Sequence, residues 1–144
     1  MIIKKKIAYS ITAFIYMNLL PYISRLPKGI EWAQQYLPDE GHLIAGLWLV
    51  HSFYSIPAVL LIISIYTSKK YALPFLLTFL TLTFATVYFN HGYDLSSCST
   101  ATIGLVFMPI ITSFLGGIAF GLGHAIQYWI IKKTTNVKEE GSDN

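Results

Sequence analysis

Charge is what this sequence has least of. Ten lysines and arginines and seven acidic residues make up 12% of the 144 residues, against 54% hydrophobic residues and a mean hydropathy of +0.55. Such a chain has too little polar surface to coat a water-soluble globule. Histidine aside, no charge falls between Tyr71 and Tyr93 and none between Leu95 and Ile131. Charge-free stretches of that length belong in lipid. The net charge of +3 is scattered over short segments, which excludes the dense basic surface that neutralises a nucleic-acid backbone.

Cysteine is nearly absent. Cys98 stands alone, so no intrachain disulfide is available to the fold. The tetrad Leu95, Ser96, Ser97, Cys98 has the shape of a lipoprotein acylation box but lies far from any N-terminal signal, and we read it as coincidence. Also missing are a glycine-flanked serine elbow and a recognised metal-ligand spacing. These absences argue against an enzyme, and no cofactor or metal is expected.

What the sequence does have is long apolar segments. Lys4, Lys5 and Lys6 precede an apolar run from Ile7 to Ile23. At 1.5 Å per residue its seventeen residues extend about 25 Å, near the minimum for crossing hydrocarbon. Pro21, Tyr22, Ile23, Ser24 and Arg25 offer no small-residue cleavage site, so the run reads as an anchor rather than a signal peptide. Tyr9 and Tyr22 are placed as interfacial anchors. A second span is expected from His42 to Tyr66 and a third from Tyr71 to Phe89, joined at Lys69 and Lys70. The fourth, Ala101 to Ile131, would be about 46 Å long against roughly 30 Å of hydrocarbon. Pro109 predicts a kink that absorbs the excess, with the part before it tilted, interfacial or re-entrant.

The fold expected is therefore all-α: a polytopic membrane protein with four transmembrane helices in a compact bundle. Residues 1–133 form the membrane domain, and residues 134–144 form a polar, disordered cytoplasmic tail. Eight lysines (Lys4, Lys5, Lys6, Lys69, Lys70, Lys132, Lys133 and Lys138) fall on one side of the membrane, and Arg25 and Lys28 on the other. The positive-inside bias makes the first side cytoplasmic, so both termini face the cytoplasm of a bacterial inner membrane. In the outer loop Ser24 to Gly41, the residues Ile30, Trp32, Ala33, Tyr36 and Leu37 share one helical face, with Glu31, Gln34 and Gln35 opposite. This predicts a short amphipathic helix of about two turns, ending at Pro38. It serves as a lid on the bundle or as a contact for a partner.

Polar groups inside lipid are functional candidates by default. His51, with Tyr54 and Ser55 on the same helical side, and His124, beside Gly121 and Gly123, are each read as an interhelical packing group or as a proton or substrate contact. His42, His91 and Asp94 are the right residue types for a metal site at the outer end, but their spacing is not a recognised ligand spacing, and loop groups capping helix ends are the ordinary explanation. Ser99 or Thr100 is a candidate N-cap for the fourth span. In the third span Thr78, Thr81, Ala85 and Tyr88 recur on one face, and the threonine hydroxyls can return a hydrogen bond to the preceding turn. The strongest local motif is Ser113, Gly117, Gly121 and Ala125, a four-residue small-xxx-small repeat that lets two helix backbones meet closely. The partner helix is expected within the same chain, with a second copy or another protein as the alternatives.

Function is read from these features as protein–protein interaction within the membrane. The expected partners are the bilayer and another membrane protein or a second copy, and an immunity-type role against a membrane-active toxin falls within this class. The alternative is an oligomeric transporter or pore for a small solute. For a proton-coupled exporter, no glutamate lies between Ile7 and Ile23 to carry the proton.

Overall fold

A computed structural model describes residues 2–35, 43–68, 72–94 and 101–140, with side chains described for 5–35, 51–68, 72–94 and 103–134. The elements are α1 (Ile2–Arg25), a 3-10 turn (Leu26–Lys28), α2 (Ile30–Gln34), α3 (Leu43–Thr67), α4 (Ala72–Gly92) and α5 (Ala101–Glu140). No strand occurs among the described residues.

Residue pairings set the topology. Tyr16 meets Thr83 and Arg25 meets Asn90, so α1 and α4 run in the same direction. Asn18 meets His51 and Ser10 meets Tyr66, so α3 runs against α1. Gly104 lies against Tyr93, Gly116 against Leu82 and Gly123 against Pro74, so α5 runs against α4. The four long helices thus form an up-down-up-down bundle. One end, called upper here, holds Arg25 and Gly92; the lower end holds Lys5 and Ser68.

Polarity is distributed inside out. Among the described residues, thirty large hydrophobic side chains are exposed. Eleven hydrophobic residues are buried, while Asn18, Ser24, Arg25, Ser64, Thr78, Thr86, Asn90 and Thr112 are buried with them. That arrangement suits a nonaqueous surround. Three helical stretches, Lys5–Lys28, Ala72–Gly92 and Ile103–Thr134, are long and apolar enough to cross a membrane. The stretch of α3 whose side chains are described, His51–Thr67, is apolar but shorter.

The central core joins Ala13 and Met17 of α1, Ala58 and Leu61 of α3 and Leu82 of α4. Two buried hydroxyls close onto their own helices: Thr78 donates to Pro74 O at 2.7 Å, as expected from the threonine pattern, and Ser64 donates to Leu61 O at 2.7 Å. Tyr88 departs from the expected threonine face and is largely exposed, because the buried face of α4 is Pro74, Thr78, Leu82, Ala85, Thr86 and Asn90. Ser24 donates to Pro21 O and Ser113 to Pro109 O, each at 2.7 Å, so these hydroxyls too are satisfied by their own helices.

Several expectations are corrected. Helix α5 is continuous from Ala101 through Pro109 to Glu140. Its forty residues extend about 60 Å, and the excess lies at the other end. Gly123 still packs on Pro74 near the start of α4, so the residues beyond it project past the lower end of the bundle. There Tyr128 and Trp129 are exposed, and Lys133 Nζ lies 5.6 Å from the Trp129 ring centroid. This is the aromatic and cationic pairing of a membrane interface. Helix α5 continues through Thr134 to Glu140, each added residue extending it by one hydrogen bond without a new nucleus. Tyr22 turns inward against the His51 ring, centroids 5.9 Å apart, leaving Ile23 on the outside. The lid helix is a single turn, Ile30–Gln34. Tyr36, Leu37 and Pro38 lie outside the described residues, as do His42, Cys98, Ser99 and Thr100.

Candidate functional site

The upper end is built around Arg25, the last residue of α1, whose side chain has 0% exposure. A buried guanidinium is tolerable only where its planar fork of donors is used. Here Nε donates to Trp32 O at 2.8 Å, and Nη1 donates to Asn90 O at 3.1 Å and to Tyr93 O at 2.6 Å. Nη2 donates to Gln35 Oε1. The acceptors follow from position. Asn90 lies in the last turn of α4, where carbonyls lack intrahelical partners and the helix dipole favours a cation. The Arg25 guanidinium also lies 4.9 Å from the Trp32 ring centroid, and Lys28 Nζ lies 4.6 Å from the same ring.

Two residues extend the knot. Gln35 Nε2 donates to Asp94 Oδ1 at 3.1 Å, so one amide links the guanidinium to a carboxylate. Asn90 donates from Nδ2 to Thr86 O at 2.7 Å and accepts from Tyr54 Oη at 2.6 Å. Tyr93 packs so closely on Gly104 that a Cβ there would strike its ring. Through Arg25, Asn90 and Tyr93, the knot joins α1, α2, α3, α4 and α5.

A second polar pair lies one to two turns deeper. Asn18 Nδ2 donates to Phe14 O at 2.9 Å, which turns Oδ1 toward His51 Nδ1 at 3.0 Å. His51 must then donate from Nδ1. Ser55 Oγ donates to His51 O at 2.7 Å. This is an interhelical hydrogen bond of ordinary membrane type.

The singled-out residues therefore scatter. His91 belongs to the last turn of α4 rather than to a loop, and its Nδ1 donates to Ser24 O at 3.0 Å. Asp94 joins the Arg25 knot through Gln35. His124 is exposed at the far end of the molecule, edge-on to Phe120 with centroids 4.6 Å apart. Among the described residues, no group of three His, Cys, Asp or Glu side chains comes together. Arg25, Asn90, Gln35 and Asn18 were not singled out from the sequence. Asn18 was the most accessible of them, as an amide inside an apolar run; the others depend on contacts across 10 to 68 positions.

The small-residue face is also placed differently from expectation. The buried side of α5 is Leu105, Met108, Pro109, Thr112, Gly116 and Gly123. A Cβ on Gly116 would strike Leu82, and one on Gly123 would sit 2.6 Å from Pro74 Cα. Those two glycines make the close approach within the chain. Gly117 and Gly121 have nothing within 4 Å of a built Cβ. At 100° per residue, Gly117 lies about 100° around the helix from Gly116. Ser113, Gly117, Gly121 and Ala125 thus wind from the flank of α5 to its outward side, where Gly121 and Ala125 are exposed. His124 is exposed beside them.

Compared with known protein families, curated proteins and solved structures, the chain matches none.

Proposed function

We propose that this chain is a non-enzymatic protein of a bacterial inner membrane that crosses the bilayer four times and binds another membrane protein through the outward face of α5. Both termini lie in the cytoplasm, and the end bearing the Arg25 knot faces outward. An immunity-type role, in which the bound partner is a membrane-active toxin, is the form of this function we favour.

The carrying observation is the pair Gly117 and Gly121, bare on the exterior with nothing within 4 Å. Against lipid alone, a glycine forfeits side-chain contact; against a second helix, it admits close backbone packing. The exposed imidazole of His124 supplies a hydrogen-bonding group at the edge of that face. The interior supports the same reading. The Arg25 guanidinium bonds backbone carbonyls and Gln35, so the chemistry of the knot serves architecture, and recognition is left to the surface.

The test is affinity purification in mild detergent, comparing the unaltered chain with a Gly117→Leu, Gly121→Leu double variant. The expected result is one co-purifying membrane protein that falls at least about tenfold in the variant while the chain's own level is unchanged, a loss of about 1.4 kcal/mol of binding. Retention of every co-purifying protein at equal yield would refute the proposal.

A further inference from the structure

We infer that the lower end of the bundle binds one anionic phospholipid, with an acyl chain in the furrow between α1 and α4 and the phosphate against Lys5. The inference rests on the membrane reading and not on the proposed partner of α5.

The furrow has a volume of about 650 Å³ and is walled by Tyr9, Thr12 and Tyr16 of α1, Phe75 and Phe79 of α4, and Ser68 at the end of α3. That volume lies within the range of about 300–1,000 Å³ typical of ligand sites. The aromatic wall is continuous: Tyr16 stacks on Phe79 with centroids 5.6 Å apart, and Phe79 on Phe75 at 6.0 Å. Toward the middle of the bundle, the hydrogen bond between Tyr16 Oη and Thr83 Oγ1, 3.0 Å long, bridges α1 and α4. From Tyr9 to Tyr16 the furrow runs about 10 Å along the helix. A partner helix lying along the bundle would have to pass that bridge, whereas the glycerol-proximal part of one acyl chain fits below it.

Two polar features lie at the open, lower end. Ser68 Oγ is buried and has no hydrogen-bond partner among the described residues, so it is free to donate to an ester or phosphate oxygen. Lys5 is exposed and lies within about 40° of Tyr9 and about 20° of Thr12 and Tyr16 on the helix. Its ammonium is thus on the furrow's own stripe, one turn nearer the end. Lys6 is engaged elsewhere, with Nζ 4.9 Å from the Tyr66 ring centroid. A zwitterionic headgroup brings its own cation to a lysine-rich end, whereas an anionic one brings only the complementary charge. This decides the ligand class.

The experiment is native mass spectrometry of the full chain in detergent, offered equal amounts of phosphatidylglycerol and phosphatidylcholine. One phosphatidylglycerol should be retained in preference. Lys5→Gln should weaken that retention about fivefold, the worth of one lysine near a charged membrane surface. Thr12→Trp, which fills the furrow from an exposed position, should abolish it, and Lys133→Gln should leave it unchanged. Equal retention of the two lipids would overturn the inference, as would equal losses for Lys5→Gln and Lys133→Gln. Should Thr12→Trp fail to fold, Lys5→Gln decides alone, because it alters no buried contact. Lys5→Gln and Thr12→Trp both lie on α1, so failure here leaves the co-purification test standing, and loss of the α5 partner leaves this site standing.

Discussion

Arg25 shows how much one side chain can hold in place. Its removal leaves the carbonyls of Trp32, Asn90 and Tyr93 without the donor they share, each costing about 1–3 kcal/mol where water cannot replace it. Because this end of the bundle opens partly when the clamp is lost, we expect Arg25→Gln to destabilise the protein by about 3 kcal/mol, read from unfolding in mixed detergent micelles. Arg25→Lys should recover only a minor part, since an ammonium cannot span the same planar set of acceptors. Equal stability of Arg25→Gln and the unaltered chain would show that the knot is incidental. Sequence reading gave Arg25 a role only as a charge on the outer side of the membrane. Its position after the first span is visible in the sequence, but acceptors at Asn90 and Tyr93 are set by the α1–α4 packing and leave no local signature. His51 was more accessible, because a histidine with Ser55 one turn on already marks a polar strip; what the strip meets, Asn18, depends again on how α1 and α3 align.

Helix α5 illustrates the difference between a period and a phase. The four-residue repeat of Ser113, Gly117, Gly121 and Ala125 is plain in the sequence, yet the glycines that touch the bundle are Gly116 and Gly123. A spacing states which residues share a face, while the direction of that face depends on the rest of the fold. The distinction yields a paired prediction. Gly123→Ala places a methyl 2.6 Å from Pro74 Cα, backbone that cannot step aside, and should cost about 1–3 kcal/mol. Gly121→Ala meets nothing and should change stability by no more than about 0.5 kcal/mol. Thermal unfolding of the two variants in detergent checks both values, and equal effects would contradict the phase assigned to α5. Helix α5 continues through Pro109, because a proline removes a single backbone donor and leaves the rest of the hydrogen-bond ladder in place.

At the scale of the whole molecule, the distribution of lysines and the alternation of apolar runs already implied antiparallel neighbours, and the up-down-up-down order follows that pattern. The short link at Lys69 and Lys70 and the extended apolar run after Ala101 were sufficient for it. The use made of the polar residues was not legible, because hydroxyls and amides that bond across or along helices look in sequence like those of an interior prepared for transport. The proposed function places recognition on the outward face of α5, where Gly117 and Gly121 meet nothing within the chain. The most direct measurement is a crosslinking scan in native membranes, in a Cys98→Ser background, with single cysteines at Ser113, Gly117, Gly121 and Ala125 and, for comparison, at Thr112 and Gly116. The account predicts crosslinks to one other membrane protein that peak at Gly117, Gly121 and Ala125 and vanish at Thr112 and Gly116; links confined to the chain itself or to its own copies, or yields with no dependence on position, would contradict it.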